Sequence, residues 1–257
     1  MSNNPRALRP GLISVGDVMS FYAKGHPRAT CLQIGANDGK NNDPVHEHIL
    51  AQSWQAVLVE PQKHVFDHEL CKTYAGVKHV HLERCAIASS QGELPLYRLG
   101  FTNARWATGL SSFDKRSLMD HIDRGYVDRK AQADGIKLPA SKDEYLTTEM
   151  VPTMSPNDLL DKHGIKNLDV LCIDTEGFDY EVLKLVDWSR FKPAVVLYES
   201  KNLSDQDFMG SQELLKKHGY ELYWQKGDTI ALSSKLASEL GTARKLAFKA
   251  KAFLQKI

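Results

Sequence analysis

Tyr220-Glu221-Leu222-Tyr223-Trp224, then Gln225-Lys226-Gly227-Asp228, then Thr229-Ile230-Ala231-Leu232, is the stretch on which the architecture turns. Its two outer runs have the length and apolar character of short strands, and the four residues between them include one glycine and two charged side chains. A connection this short makes the two runs an antiparallel hairpin, because parallel neighbours need a crossover of about a dozen residues. Everything before the hairpin follows the other rule. Reading backwards, apolar runs at 194–198, 168–173, 77–82, 56–59 and 30–34 are separated by segments with helical spacing, among them 207–218, 179–186, 64–74 and 44–52. Ser155-Pro156-Asn157-Asp158 opens one more helix, with serine at the cap, proline in the first turn and aspartate three residues on. Strands alternating with helices mean a parallel sheet covered on both faces. The prediction is an α/β fold, five parallel strands finished by an antiparallel hairpin. Dinucleotide folds whose last strand stays parallel fit that ending less well.

One region breaks the rhythm. Residues 94–99 read as a strand, 101–113 as a polar loop, and 114–137 carry many charges and few apolar positions, so 100–145 is assigned as an insertion. After the hairpin, Leu236, Leu240, Ala243, Ala247, Ala250, Leu254 and Ile257 fall on one helical face. The reading is therefore a domain over 1–233 and a basic amphipathic helix over 234–257. Such a helix can lie on an anionic membrane, dock a partner or pack on its own domain.

Composition narrows the classes. Lys+Arg 33 against Asp+Glu 32 in 257 residues leaves a net charge of +1, without the basic excess of a nucleic-acid binder. The longest apolar run, 194–198, is far too short to span a membrane. Cys31, Cys71, Cys85 and Cys172 form no C-x-x-C pair, and Met1 to Pro10 is polar. Reduced thiols and a cytoplasmic location are expected.

Candidate chemistry sits at strand ends. Gln33-Ile34-Gly35-Ala36-Asn37-Asp38-Gly39 runs from a strand into a turn where small residues let a ligand approach the backbone. It lacks the G-x-G-x-x-G of dinucleotide enzymes. Glu60 ends the next strand, where a carboxylate can accept both ribose hydroxyls of a nucleoside cofactor. Asp174 and Glu176 follow the fourth strand; two apart, they need not face one way. Glu199 ends the fifth strand, with Lys201 and Asn202 just beyond. Asp174, Glu199 and Asn202 offer hard oxygen ligands of the kind Mg²⁺ takes, yet form no compact ligand motif. His46, His48, His79, His81 and His121 have no partner at a metal-ligand spacing. No Gly-x-Ser-x-Gly elbow or Ser-His-Asp order points to a hydrolase.

Four segments carry a family likeness: LQIGANDGKNNDP (32–44), VLVEP (57–61), LDVLCIDTEGFDYEVLKLVDW (168–188) and VVLYESKNLS (195–204). With them the chain resembles the FkbM-type S-adenosylmethionine-dependent methyltransferases, whose sheet is the Rossmann-like class I form. The resemblance implies that Gly35, Asn37, Asp38 and Gly39 frame the methionine end of the cofactor and Glu60 its ribose. It places Cys85 and Ala86, after the third strand, near adenine. Family members commonly have an acidic residue where Gln33 stands; glutamine can still meet the cofactor's ammonium, directly or through water. The likeness further suggests O-methylation of a sugar or glycosylated product, with Asp174, Glu199 or Glu176 as the base. Ser111 and Ser112, in a family-like serine pair, and Lys201 would then contact the acceptor. The likeness requires no metal. Two other classes stay open: an NAD-dependent oxidoreductase, and a non-catalytic cofactor-fold subunit of a polysaccharide assembly complex.

Overall fold

The computed structural model describes residues 14–243. Its main sheet is built from β1 (Thr30–Ile34), β2 (Gln55–Val59), β3 (Val80–Glu83), β7 (Val170–Ile173), β8 (Val195–Glu199), β9 (Tyr220–Gln225) and β10 (Asp228–Ser233). Three strands, β4 (Ala86–Ile87), β5 (Gly92–Leu99) and β6 (Leu146–Met154), stand apart in a second sheet. The order across the main sheet is β3-β2-β1-β7-β8-β10-β9. The first five are mutually parallel; β10 runs antiparallel between β8 and β9. The hairpin therefore folds back on itself, with its second strand nearer the centre. Lys226 and Gly227 both have positive φ, 50° and 110°, which suits a two-residue turn to the twist of its strands.

The central strands are buried along nearly their whole length, as expected when helices cover both faces. Alternation sends Leu32, Ile34, Val57, Leu171 and Val196 into one apolar cluster, with Leu159, Val182 and Phe208 from the helices Pro156–Lys162, Asp179–Leu185 and Asp205–Lys217. Cys31, Ala56, Leu58, Val170 and Leu197 face the other way, against Met19 and Tyr22 of helix Val15–Gly25 and Ile49 of helix His46–Gln52. Helix Val15–Gly25 begins on a reciprocal capping box between Ser14 and Asp17.

The middle of the chain holds more order than its sequence suggests. β5 and β6 pair antiparallel, and β4 adds in parallel to β6. The expected loop at 101–113 contains the short helix Arg105–Thr108. The charged stretch behind it forms helices Lys115–Asp123 and Tyr126–Ala133, which close over an apolar cluster of Leu99, Leu118, Ile122, Val127 and Tyr145. After β10, residues 234–243 are helical, and Leu236, Ala237 and Leu240 are buried with the cluster around helix Val15–Gly25. The remainder of the tail assigned at 234–257 lies outside the described residues. No helix among the described residues is long and apolar enough to cross a membrane.

Candidate active site

The carboxyl ends of β1, β2, β7 and β8 open into one cleft of about 1080 Å³, the edge at which open α/β sheets bind ligands. At its floor, Gly35 turns the chain with φ 81°. A Cβ on Gly35 would lie 1.7 Å from the carbonyl oxygen of Asp174, so the close approach of β1 and β7 requires glycine. The amides of Gly35 and Ala36 both donate to Val59 O at 2.9 Å. Glu60, only 2% exposed, accepts the Asn37 amide on one oxygen and the Gln62 amide on the other, each at 2.9 Å. Burial pushes its carboxyl up to about 7 against the opposing pull of those amides.

Asp38 braces the loop itself. One of its oxygens accepts the Lys40 and Asn41 amides at 3.0 Å; the other takes the Asn41 side chain at 2.6 Å and pairs with Arg105 at 2.9 Å. Gln33 lines the cleft and donates its Nε2 to Asp43 at 2.8 Å, while its Oε1 is buried with no donor. An acceptor left so is costly, and an arriving N–H is rewarded. Cys85, between β3 and β4, and Ala86, the first residue of β4, are both buried and line the same cleft; burial raises the Cys85 thiol to about 12, leaving a neutral, apolar wall.

The opposite wall is acidic. Asp174, Glu176 and Glu199 bring carboxylate oxygens within 4.8 Å of one another. The sequence spacing of Asp174 and Glu176 left their directions open. The backbone brings them together, because Glu176 and Gly177 both take positive φ, 51° and 100°, and curl the loop. Asn202 Nδ2 donates to Glu176 and to Glu199 at 2.7 Å each, and Lys201 forms an ion pair with Glu199. Burial and then the Glu199 charge raise Asp174 to about 7 and Glu176 to about 9. Asp174 is exposed to the solvent of the cleft, and the Glu199 charge adds to the effect of its buried surroundings in raising it. Asp228, the first residue of β10 and paired with Glu199 across the sheet, lines the same wall and is pushed up to about 6 by burial and Glu199. Nothing in the sequence marked it beyond an ordinary turn residue.

The insertion is fastened to both walls. Gln62 Nε2 donates to Thr108 O at 3.0 Å and Ser111 Oγ to Gln62 Oε1 at 2.9 Å. Ser112, 1% exposed, donates to Glu176 O at 2.9 Å and accepts the Asp114 amide at 3.1 Å. Of this serine pair only Ser111 lines the cleft. Among the histidines singled out in the sequence, His81 stacks on His163 away from the acidic wall, and His46 meets the Tyr74 hydroxyl at 3.0 Å. Burial, and after it the Arg124 charge, push the His121 imidazole below its ordinary value.

A parallel sheet with one reversed strand beside its edge, a glycine turn on its first strand and carboxylates on its second, fourth and fifth define a methyltransferase-like fold. The chain matches the methyltransferase FkbM domain over residues 33–222, and it belongs to that family. Among solved structures it is similar to the methyltransferase FkbM from Methylobacillus flagellatus KT, at 10% identity and a TM-score of 0.47, over 80% of this chain and 44% of that one. The chain thus spans less than half the length of that protein. No curated protein matches it.

Proposed function

We propose that this methyltransferase uses S-adenosylmethionine and transfers the methyl group to a hydroxyl of a sugar or glycosylated product. The observation that carries the reading is the single cleft, with the glycine turn and Glu60 at one end and three converging carboxylates at the other. The Gly35 cradle and the donorless Gln33 Oε1 fit the cofactor's methionine end. Gln33, Gly35, Asn37 and Gly39 would hold it, with Asp38 shaping the loop, Glu60 on the ribose and Cys85 and Ala86 beside adenine. Bound there, the cofactor supplies a methyl group on a positively charged sulfur. The protein's task is then alignment, which can lower a barrier by ~7–11 kcal/mol, and removal of one proton. Asp174 would receive the acceptor hydroxyl's proton, freeing its oxygen for the methyl group that the cofactor would supply. Glu176, protonated near neutrality, is a hydrogen-bond donor to the acceptor, and Glu199 with Lys201 fixes the wall beneath. Phe113, Phe178 and Ser111 line the cleft beside these groups, a mixture of apolar faces and short polar groups that suits a hydroxyl-rich ring.

Incubation with S-adenosylmethionine and a panel of sugar nucleotides and free sugars, read by mass spectrometry, should reveal an acceptor gaining one methyl group. Calorimetry with S-adenosylhomocysteine against NAD separates this reading from an oxidoreductase, and turnover with any acceptor excludes a non-catalytic role.

Two further outcomes follow from the site. Glu60→Gln keeps an acceptor for one of the two backbone amides but removes the charge offered to the ribose. Affinity for S-adenosylhomocysteine should fall by about tenfold, the loss expected for a charge-assisted bond; an unchanged dissociation constant would remove Glu60 from the ribose site. The acidic wall has the hard oxygen atoms that Mg²⁺ accepts, but Lys201 already neutralises Glu199, and Asn202 donates to both Glu176 and Glu199. Transfer should therefore proceed undiminished in chelator, and activity lost to chelator and restored by Mg²⁺ would assign the three carboxylates to a metal.

A further inference from the structure

We infer that Asp43 is the positioning residue that carries the negative charge for the cofactor's ammonium, acting through the side chain of Gln33. The inference rests on the S-adenosylmethionine reading above and adds to it a residue ten positions beyond Gln33.

The geometry begins with a carboxylate that can only accept. Asp43 Oδ1 receives the amides of Val45 and His46, at 2.8 and 2.7 Å, where the chain enters helix His46–Gln52. Its Oδ2 receives Gln33 Nε2 at 2.8 Å. An amide has one donor end and one acceptor end, so a carboxylate at Asp43 dictates which end of Gln33 points where. Nε2 is committed to Asp43, and Oε1 is the end left over. That oxygen is buried without a donor, on a side chain 6% exposed that lines the cleft beside Gly35. Asp43 lines the cleft too. The pair thus presents an acceptor polarised by a fixed anion, suited to a cationic N–H group, directly or through one bridging water. A neutral glutamine in the strand avoids placing a second carboxylate against Asp43, while the charge itself stays one hydrogen bond behind.

One substitution separates the two roles of this carboxylate. In Asp43→Asn the new amide can keep its oxygen on the Val45 and His46 amides, so the helix entrance is retained. Its nitrogen then faces Gln33, the glutamine amide reverses to offer Oε1 to it, and a donor now meets the ammonium. Dissociation constants are measured by calorimetry for S-adenosylhomocysteine and for its analogue with hydrogen in place of the α-amino group, in the full chain. The wild type should bind the amine-bearing ligand about tenfold or more tightly than the analogue. In Asp43→Asn that preference should vanish, with affinity for the analogue unchanged. The double variant Asp43→Asn with Gln33→Glu restores an acceptor with a charge of its own, held by the asparagine N–H, and should recover the preference. Equal weakening of both ligands in Asp43→Asn, or a preference that persists, overturns the role of Asp43 while leaving the cofactor reading intact. Failure of the wild type to bind either ligand overturns both.

Discussion

Asp174→Asn is expected to lower turnover by ~10²–10⁴-fold while leaving the dissociation constant of S-adenosylhomocysteine within about twofold of the wild type. Asparagine keeps the size of the side chain but cannot receive the acceptor's proton. In the proposed reaction Asp174 is the group placed for that proton: it lies at the carboxyl end of β7, directly over the glycine turn, with Glu176 and Glu199 beside it. A base is most effective when its affinity for protons lies near the working pH, and Asp174 is raised to about 7. The wild-type rate should therefore climb as pH rises through about 7 and level off above it, and the residual rate of Asp174→Asn should lack that step. The stability consequence has the opposite sign to the usual one for a paired aspartate. Asp174 holds its proton in the folded chain up to about 7, whereas unfolded it would release it near the ordinary value of 3.8. Between those values the native state binds more protons than the unfolded state, so stability falls as pH rises through the window. Asp174→Asn removes this term and should unfold at higher temperature than the wild type at neutral pH. Rate and cofactor affinity falling together would make Asp174 an orienting group; a wild-type rate in Asp174→Asn would move the base to Glu199.

Gly35→Ala is the second large effect. With φ at 81°, an L side chain there is strained whatever the space, and no space exists: the added carbon would sit 1.7 Å from Asp174 O. The clash is with backbone in the middle of the parallel sheet, where Ile34 O also accepts the Asp174 amide at 2.9 Å. Relief means prising β1 from β7, beyond the ~1–3 kcal/mol usual for overpacking. The urea midpoint should drop sharply or the protein should fail to fold. Gly39→Ala is the control. It too has positive φ, 66°, but its new carbon would meet the ends of the Leu70 and Tyr74 side chains at 2.6 Å, and these can move. It should lose clearly less. Equal stability of Gly35→Ala and the wild type would mean that β1 and β7 do not approach as described.

The parts legible in the sequence were those set by local rules. The hairpin followed from the shortness of 225–228, and the parallel core from alternating strand and helix periods. The strand-end positions of Glu60, Asp174 and Glu199 followed from the same reading. What escaped needed information from elsewhere in the chain. β6 carries Glu149, exposed Met150 and Pro152, which hide its alternation; only its pairing with β5 makes it a strand. Asp38 reads as a ligand in a glycine turn, yet Arg105, brought over from the insertion, draws it into bracing the loop. The meeting of Asp174 and Glu176 depended on a left-handed backbone at Glu176, a non-glycine position where that conformation is uncommon. Asp43 carried one overlooked hint: an Asp-Pro step at a helix entrance is the usual place for a side chain that receives free amides.

The ties between the insertion and the sheet bear on how acceptor choice could be rebuilt. The side-chain hydrogen bonds and ion pair described above fall within eight residues: Arg105 on Asp38, the Thr108 carbonyl and Ser111 on Gln62, and Ser112 on the Glu176 carbonyl, with the Phe113 ring against Phe178 just beyond. Behind this hinge-plate, helices Lys115–Asp123 and Tyr126–Ala133 rest on an apolar cluster that also takes in Ala107 and Leu110 of the plate. The plate thus holds the sheet with its polar groups and the two helices with its apolar ones. A graft from another family member that begins after Phe113 and ends before Tyr145 would import new acceptor contacts and leave the cofactor half undisturbed. One that cuts between 105 and 112 would loosen the glycine turn and the acidic wall in a single stroke.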